Sequence, residues 1–360
     1  MHPLKVDQPY PYEQWWVAAY SSEVGRELLG RTILGDRVIL YRTEAGEAVA
    51  LSGICPHRSY PLAKGKLVGD AVQCGYHGFT FDSGGNCVFV PNQTGVPSNS
   101  SLRQYPVVER GGLLWIWTGE VGNAAPDLVP PVERLGLSPD WKSDYSPPIT
   151  TVGRYTLLID NLLDLGHASF IHADTIPGGE AVAMIPVTVI ENEESLNVER
   201  IGRNLPINPF IKLQFPDNDG PVDQHFDAEY YAPSIIRTGG TTFRSGLTEP
   251  LGTQNFIHCI TPETPTSTHY FVITTRNFGH DNDVLSQVNV DMGSRIQPQD
   301  EEAMAAVEEV LQSATGPIRE VSARVDTGAL KVRHRLESQI RAECKAKDVP
   351  VADVAVGLDG

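Results

Sequence analysis

Cys55-Pro56-His57 and Cys74-Gly75-Tyr76-His77 form a C-x-H box and a C-x₂-H box with sixteen residues between them. Each box carries one thiolate donor and one imidazole donor on a turn between β segments. Two facing loops of this kind can bracket a diamond of iron and sulfide, two thiolates holding one iron and two neutral imidazoles the other. Exchanging charged sulfur for neutral nitrogen raises the reduction potential well above that of an all-cysteine cluster, so the centre accepts an electron readily. Gly75 and Gly78 allow the tight backbone that such loops need. The competing reading is a structural Cys₂His₂ zinc site, but zinc fingers usually pair Cys with Cys and His with His, whereas here each box holds one of each. The pattern favours a 2Fe–2S cluster ligated by Cys55, His57, Cys74 and His77.

Working outward, Thr32-Ile33-Leu34 and Val38-Ile39-Leu40-Tyr41 are short apolar stretches separated by Gly35-Asp36 and followed by Glu44-Ala45-Gly46, which are turn signals. These read as hairpins. More short strands follow through Gly78–Val90 and Gly112–Trp117, so residues 1–125 form an expected all-β domain. Pro126, Pro130, Pro131, Pro147 and Pro148 mark a change of register, and residues 126–360 an expected second domain. Within it, Leu157, Leu158, Leu162, Leu163 and Leu165 recur at helical spacing and predict a helix over Tyr155–His172. Residues 182–275 return to β-branched and aromatic segments, and the tail carries amphipathic patterns at about 300–313 and 328–346. The chain is therefore expected to be α+β, without internal repeats, and its last dozen residues to be disordered.

The predicted helix holds a second constellation: Asn161, Asp164, His167 and His172. Asp164 and His167 are one helical turn apart and share a face, and His172 follows five residues later. Two His and one carboxylate on one side of a metal leave positions open, the arrangement non-haem iron(II) uses for O₂ chemistry. A solitary D-x-x-H is ordinarily a pair of solvated helix residues. Its weight here comes from the iron–sulfur pattern about ninety residues upstream, because a one-electron cluster needs somewhere to send its electrons.

Composition narrows the class. A formal charge of −17 over 360 residues argues against nucleic-acid or anionic-membrane partners, which need clustered Lys and Arg. No run approaches the roughly 18 apolar residues that span a bilayer, and Met1–Trp16 lacks a basic stretch followed by an apolar core, which points to the cytoplasm. Five cysteines, an odd number, fit metal ligation better than a disulfide framework. No GxGxxG occurs, so the chain has no dinucleotide-binding fingerprint of its own.

With both constellations in place, the sequence resembles the Rieske non-haem iron oxygenases, in the group of the vanillate O-demethylase and dicamba monooxygenase oxygenase components. The likeness spans most of the chain: Trp15-Trp16-Val17-Ala18-Ala19-Tyr20, Cys55-Pro56-His57-Arg58, Cys74-Gly75-Tyr76-His77-Gly78-Phe79, Val108-Glu109-Arg110 ahead of Leu114-Trp115-Ile116-Trp117, Ile159–His167, Ile260-Thr261-Pro262-Glu263-Thr264 and Arg276-Asn277-Phe278-Gly279. The resemblance implies a Rieske domain followed by a helix-and-antiparallel-sheet catalytic domain of the helix-grip (Bet v1/START-like) type. It also implies that Asp164 is a bridge rather than a ligand, hydrogen-bonding a cluster histidine (here His77) of the neighbouring subunit in a head-to-tail homotrimer.

The ligand carboxylate is then Asp300, at the start of the first C-terminal helix in Gln297-Pro298-Gln299-Asp300-Glu301-Glu302-Ala303-Met304, with Glu301 and Asp291 as alternatives. An Asp there also suits an ordinary helix N-cap. Asn161 matches a residue close to the iron, and His258 a position that contacts substrate, although a core histidine fits equally well. Arg237, on a predicted strand, could bind an anionic substrate group or be a solvated arginine. The implied activity is that of an oxygenase component drawing on a separate reductase and often a ferredoxin. It inserts one atom of O₂ into a methyl, O-methyl or N-alkyl group of a small aromatic compound, with O- or N-demethylation as the outcome. Alternatives are cis-dihydroxylation of an aromatic ring and a non-catalytic electron carrier, the latter having no use for the second set of His and Asp.

Overall fold

In a computed structural model the structure describes residues 9–175, 183–316 and 318–347. The C-terminal dozen expected to be disordered lies outside them. The described residues divide into two compact units, one of Tyr12–Val129 with Thr261–Pro265, the other of the remainder. The division thus falls after Val129, beyond the expected 125/126, in a stretch where Pro126, Pro130 and Pro131 interrupt regular pairing.

The first unit is all β. Its strands are β1 Trp15–Tyr20, β2 Leu29–Ile33, β3 Asp36–Arg42, β4 Ala48–Ser52, β5 Lys66–Val68, β6 Ala71–Gln73, β7 Thr80–Phe81, β8 Cys87–Phe89, β9 Gln104–Tyr105, β10 Val107–Arg110 and β11 Leu113–Trp117. They form three small sheets in the orders β1-β11-β10, β2-β3-β4-β9 and β5-β6-β7-β8. The expected hairpin at Gly35-Asp36 is the β2–β3 turn, where Leu34 and Gly35 both take positive φ, 51° and 86°. That is the primed turn which matches strand twist. A leucine there is strained, and its backbone N–H and that of Gly35 are held by the carbonyls of Pro262 and Glu263 at 2.9 and 2.8 Å. β11 is buried along its whole length. Its two indoles donate to the carbonyls of Arg110 and Glu120, so tryptophan can fill this core without an orphaned N–H.

The second unit is built on an eight-stranded sheet of β12 Lys142–Tyr145, β13 Ile149–Val152, β14 Thr188–Glu191, β15 Ser195–Leu205, β16 Val222–Tyr231, β17 Ile235–Arg244, β18 Pro250–Thr264 and β19 Ser267–Arg276. The order is β12-β19-β18-β17-β16-β15-β14, with β13 also pairing β19. Helices α1 Tyr155–Leu163, α2 Pro209–Gln214, α3 Asp283–Ser313 and α4 Thr327–Ala346 complete the expected helix-and-antiparallel-sheet fold. A buried bidentate pair, Arg154 Nη2 to Glu308 Oε1 at 2.6 Å and Nε to Oε2 at 2.7 Å, fixes the start of α1 to α3. Arg333 to Asp160, at 2.5–3.1 Å, fixes α1 to α4.

Two helix boundaries depart from the sequence expectation. The helix predicted to run to His172 stops at Leu163. The Asp164 carboxylate accepts the Gly166 N–H at 2.9 Å, offering the backbone an alternative to the helical ladder, and Leu165–Ser169 continue as a 3₁₀ turn. The helix expected at about 300–313 instead begins at Asp283, capped by Asn282 onto the Leu285 N–H, and carries Pro298 inside it. The buried positions of its first half are Leu285, Asn289, Gly293, Gln297 and Asp300. They recur at helical spacing but are mostly polar or small, so a search for apolar periodicity passes over them.

Candidate metal centres

The two boxes fold into the same knuckle twice. In each, the Cys carbonyl accepts the N–H of the residue four ahead (Ser59, Gly78), and the Cys N–H binds the carbonyl five ahead (Tyr60, Phe79), at 2.8–3.1 Å. The residue that closes each turn has positive φ, 53° at Ser59 and 72° at Gly78. A Cβ on Gly75 would sit 2.8 Å from the Lys64 carbonyl oxygen, so only glycine fits there. The knuckles place Cys55 and Cys74 in the apolar core with Leu51, Leu62, Val72 and Phe81, while His57 and His77 are exposed. The thiols are hydrogen-bonding neighbours, and the imidazole centroids lie 4.6 Å apart. Thiol thus meets thiol and imidazole meets imidazole, the division a two-iron cluster needs.

A single zinc fits less well: no three of these four residues bring donor atoms within 4.8 Å of one another, as one tetrahedral ion requires. Burial pushes the Cys55 thiol up to about 11, against the pull of the backbone N–H groups of His57 and Arg58. A metal is what offsets that penalty and keeps the sulfur a thiolate.

The second constellation closes on itself in the second unit. His167, His172 and Asp300 form the one group of three or more His, Cys, Asp or Glu among the described residues whose donor atoms all lie within 4.8 Å of one another. Asp300 Oδ1 is 3.2 Å from His172 Nε2 and 3.7 Å from His167 Nε2. Both imidazoles turn Nε2 inward and are held at Nδ1 by a carbonyl oxygen. For His167 that is the Asp164 main-chain carbonyl at 2.6 Å, and for His172 the Gln299 side-chain carbonyl at 2.9 Å. A carbonyl accepts only, so the proton sits on Nδ1 and Nε2 is the metal-binding nitrogen, that of His167 lying 3.4 Å from Asn161 Nδ2. Asn161 Nδ2 donates to Asp300 Oδ1 at 2.9 Å. Burial lowers the His167 pKa. It opposes protonation of His172 as well, but the Asp300 carboxylate outweighs it and raises that group.

Asp300 lies within α3 rather than at its start, in the turn after Pro298, where the missing N–H interrupts the helical ladder. Asp291 and Glu301 are outside the donor group, and Asp291 is exposed and bonded to Gln287. Asp164 is also outside it. Its Oδ1 accepts from Gly166 N and, at 3.1 Å, from Arg200 Nη2, whose side chain is buried. Gln299, which also accepts from Thr175, went unnoticed in the sequence, where its one signal was its place beside Asp300.

The three donors open onto a cavity of about 680 Å³, walled by Phe210, Phe215, Phe256, Phe278, Val272 and Ile296 among others. That volume suits a small organic ligand. His258 is on its wall, hydrogen-bonded to Tyr270 Oη at 2.7 Å and Thr238 Oγ1 at 2.9 Å. Burial pulls its pKa down to about 4, against the pull of Asp300, so it is a neutral hydrogen-bonding group. Arg237 is elsewhere. It does not line this cavity, and its guanidinium is held by Asp227 at 2.6 Å and Glu229 at 2.8 Å, two carboxylates that the β16–β17 pairing sets beside it. The expected substrate contact at Arg237 is corrected accordingly: those carboxylates neutralise it.

A chain with paired thiols and imidazoles in one unit and a two-His, one-Asp group in the other carries the donor sets of a 2Fe–2S cluster and a mononuclear iron. Residues 14–106 match the Rieske 2Fe–2S domain, and residues 153–342 match the vanillate O-demethylase oxygenase C-terminal domain. The chain belongs to the Rieske non-haem iron oxygenases, in the group whose catalytic domain is that of vanillate O-demethylase oxygenase. It is 32% identical to the toluene-4-sulfonate monooxygenase system iron–sulfur subunit of Comamonas testosteroni, over 91% of this chain and 96% of that one. It is 35% identical to the dicamba O-demethylase oxygenase component of Stenotrophomonas maltophilia, over 76% and 80%. Crystalline dicamba monooxygenase bound to 3,6-dichlorosalicylic acid superposes with a TM-score of 0.86 at 31% identity, over 92% and 98% of the two chains. The chain is thus an oxidoreductase, the oxygenase component of a Rieske system, with a 2Fe–2S cluster and a mononuclear non-haem iron as its cofactors. No helix among the described residues is long and apolar enough to cross a membrane.

Proposed function

We propose that the protein is a cytoplasmic homotrimeric monooxygenase that hydroxylates a methyl, O-methyl or N-alkyl group of a small aromatic compound, with O- or N-demethylation as the outcome. Cys55 and Cys74 hold one iron of the cluster and His57 and His77 the other. His167, His172 and Asp300 hold the mononuclear iron. The observation that carries this reading is the convergence of those three donors on the wall of a largely apolar cavity, with both histidines locked as Nε2 donors. When bound, the cluster supplies single electrons and the ferrous ion supplies the site of O₂ activation.

The chain's own groups do the rest. Asn161 fixes one oxygen of Asp300. The phenylalanine walls exclude water and receive an aromatic ring, and neutral His258, held at both nitrogens by Thr238 and Tyr270, contacts it from the wall. On the outer side of His167, Asp164 keeps an oxygen, Oδ2, to which no described residue donates, on a carboxylate 28% exposed. That oxygen suits a bond to His77 of the partner subunit, completing an electron path through Asp164 and its neighbour His167. Electrons reach the cluster from a separate reductase, directly or through a ferredoxin. The relatives' names, a dicamba demethylase and a toluene-sulfonate monooxygenase, support the aromatic substrate class.

Turnover under ¹⁸O₂ tests the reaction type. A panel of methoxybenzoates, ring-methyl benzenesulfonates and N-alkyl anilides is supplied with a reductase. The expected result is one labelled oxygen per product, in the benzylic alcohol or in the trapped aldehyde. Two labelled oxygens in a single product would make the enzyme a ring dihydroxylase.

A further inference from the structure

The cavity wall is rich in side-chain amides, and they sort into two kinds. Gln214 donates to Gln254 at 3.0 Å and Gln254 to Asn289 at 3.5 Å. Gln224 donates to Thr242, and Asn208 caps α2 through the Ile211 N–H. Gln297 is different. It lines the same cavity and is only 2% exposed, yet its Nε2 is buried without a hydrogen-bond partner among the described residues. A buried donor is seldom left unsatisfied without reason, and of the partnerless buried side-chain atoms among the described residues this is the one whose residue lines the cavity.

Position says what that acceptor is. Gln297 precedes Asp300 by three residues on α3, which puts both side chains on one helical face with Cβ atoms about 5–6 Å apart. Gln297 therefore shares the cavity-lining helix face that carries the carboxylate assigned to the iron.

Resting on the oxygenase reading above, we propose that Gln297 is a substrate-positioning residue, donating a hydrogen bond to an acceptor atom directly beside the C–H bond that is oxidised. The preferred substrate class is then narrower than alkylated aromatics. It comprises aryl ethers and N-alkyl amides, whose oxygen or carbonyl accepts such a bond, ahead of plain ring-alkyl compounds, which offer none. A site built to donate a hydrogen bond discriminates strongly against an analogue that lacks the acceptor, because the buried donor is again left unpaired.

The test uses the reconstituted holoenzyme and matched probes that differ only by oxygen against methylene, the methoxybenzoates and the corresponding ethylbenzoates. Dissociation constants come from anaerobic calorimetry, and coupling from product formed per O₂ consumed. The wild type is expected to bind and oxidise the methoxy member better. Gln297→Leu should weaken methoxybenzoate binding roughly tenfold and uncouple O₂ consumption on it, with the ethyl member changed less than twofold. Gln297→Asn, which keeps a shorter donor, should recover part of the methoxy preference.

Equal losses on both probes, or no loss on either, would overturn the assignment, since a structural glutamine does not distinguish ether from methylene. A wild type that oxidises ethylbenzoates but prefers them to methoxybenzoates also overturns it while sparing the oxygenase reading. A fully loaded wild type that oxidises no member of any panel defeats both.

Discussion

The two metal-binding regions are built on opposite plans. In the first unit all four donors come from two knuckles of a few residues each, the thiols buried and both imidazoles at the surface. In the second, a histidine pair after α1 meets a carboxylate from α3, and the three donors face a mostly apolar cavity. An exposed imidazole edge suits a centre that must pass electrons to other molecules, because tunnelling partners need close approach and no selectivity. A buried centre suits chemistry that must choose its substrate and exclude water. Each plan makes different substitutions dangerous, which gives ways to test the contrast.

The largest expected effect separates the plans at Asp164, the proposed bridge between them. Asp164→Asn keeps an oxygen to cap the Gly166 N–H and leaves the main-chain carbonyl on His167 intact. Iron and acid-labile sulfide contents should therefore match the wild type, while coupled turnover falls at least about 100-fold, a loss that metal analysis and product-per-O₂ measurements read separately. If the variant instead loses the mononuclear iron, Asp164 is the ligand and Asp300 the accessory group. The same preparation run in an analytical ultracentrifuge checks the homotrimer.

Next in size is Gln299→Leu. Both histidines are oriented by neutral carbonyls, but only that of His172 is a side chain and so removable. Losing it frees the ring to rotate and change tautomer, and the expected cost is about 10–100-fold in Fe(II) affinity. Competition with a chelator under anaerobic conditions measures this, and the cluster's visible spectrum should not change. Unaltered affinity would mean that ring packing alone orients His172.

These contrasts also explain what could be read from the residues. The paired Cys and His knuckles were legible because their geometry is local: two short loops with glycines where backbone crowds backbone. His167 and His172 were legible by proximity to each other. Asp300 was reached only through family resemblance, since its meeting with them joins distant segments, and its helix was drawn too short because α3 buries Asn289, Gly293 and Gln297 where apolar residues were sought. The surroundings of Arg237 were illegible for a related reason: its partners Asp227 and Glu229 are set by β16–β17 register, which no local pattern reveals. Gln297 and Gln299 escaped because a glutamine next to a proline carries no motif; only packing distinguishes an orphaned amide from a solvated one.

The smallest effect tests the cavity as an environment. His258 carries no net charge when its pKa is about 4, so any substrate contact it makes is that of a neutral ring. Its stability consequence has a definite sign. Above the ordinary histidine pKa of 6.5 neither the folded nor the unfolded chain binds a proton there, and the group contributes no pH dependence. Between 6.5 and 4 the unfolded chain binds one and the folded chain does not, so folding stability falls with acid by up to about 1.4 kcal/mol per pH unit. At pH 5.5 the accumulated loss from this residue is about 1.4 kcal/mol relative to pH 7.5. His258→Gln removes the titration while keeping a hydrogen-bonding side chain between Thr238 and Tyr270. Urea midpoints of wild type and variant at the two pH values should therefore differ by that amount in their pH dependence, whatever other groups titrate in both. Identical pH dependences would show His258 titrating normally, and the cavity wet enough at its wall to solvate an imidazolium.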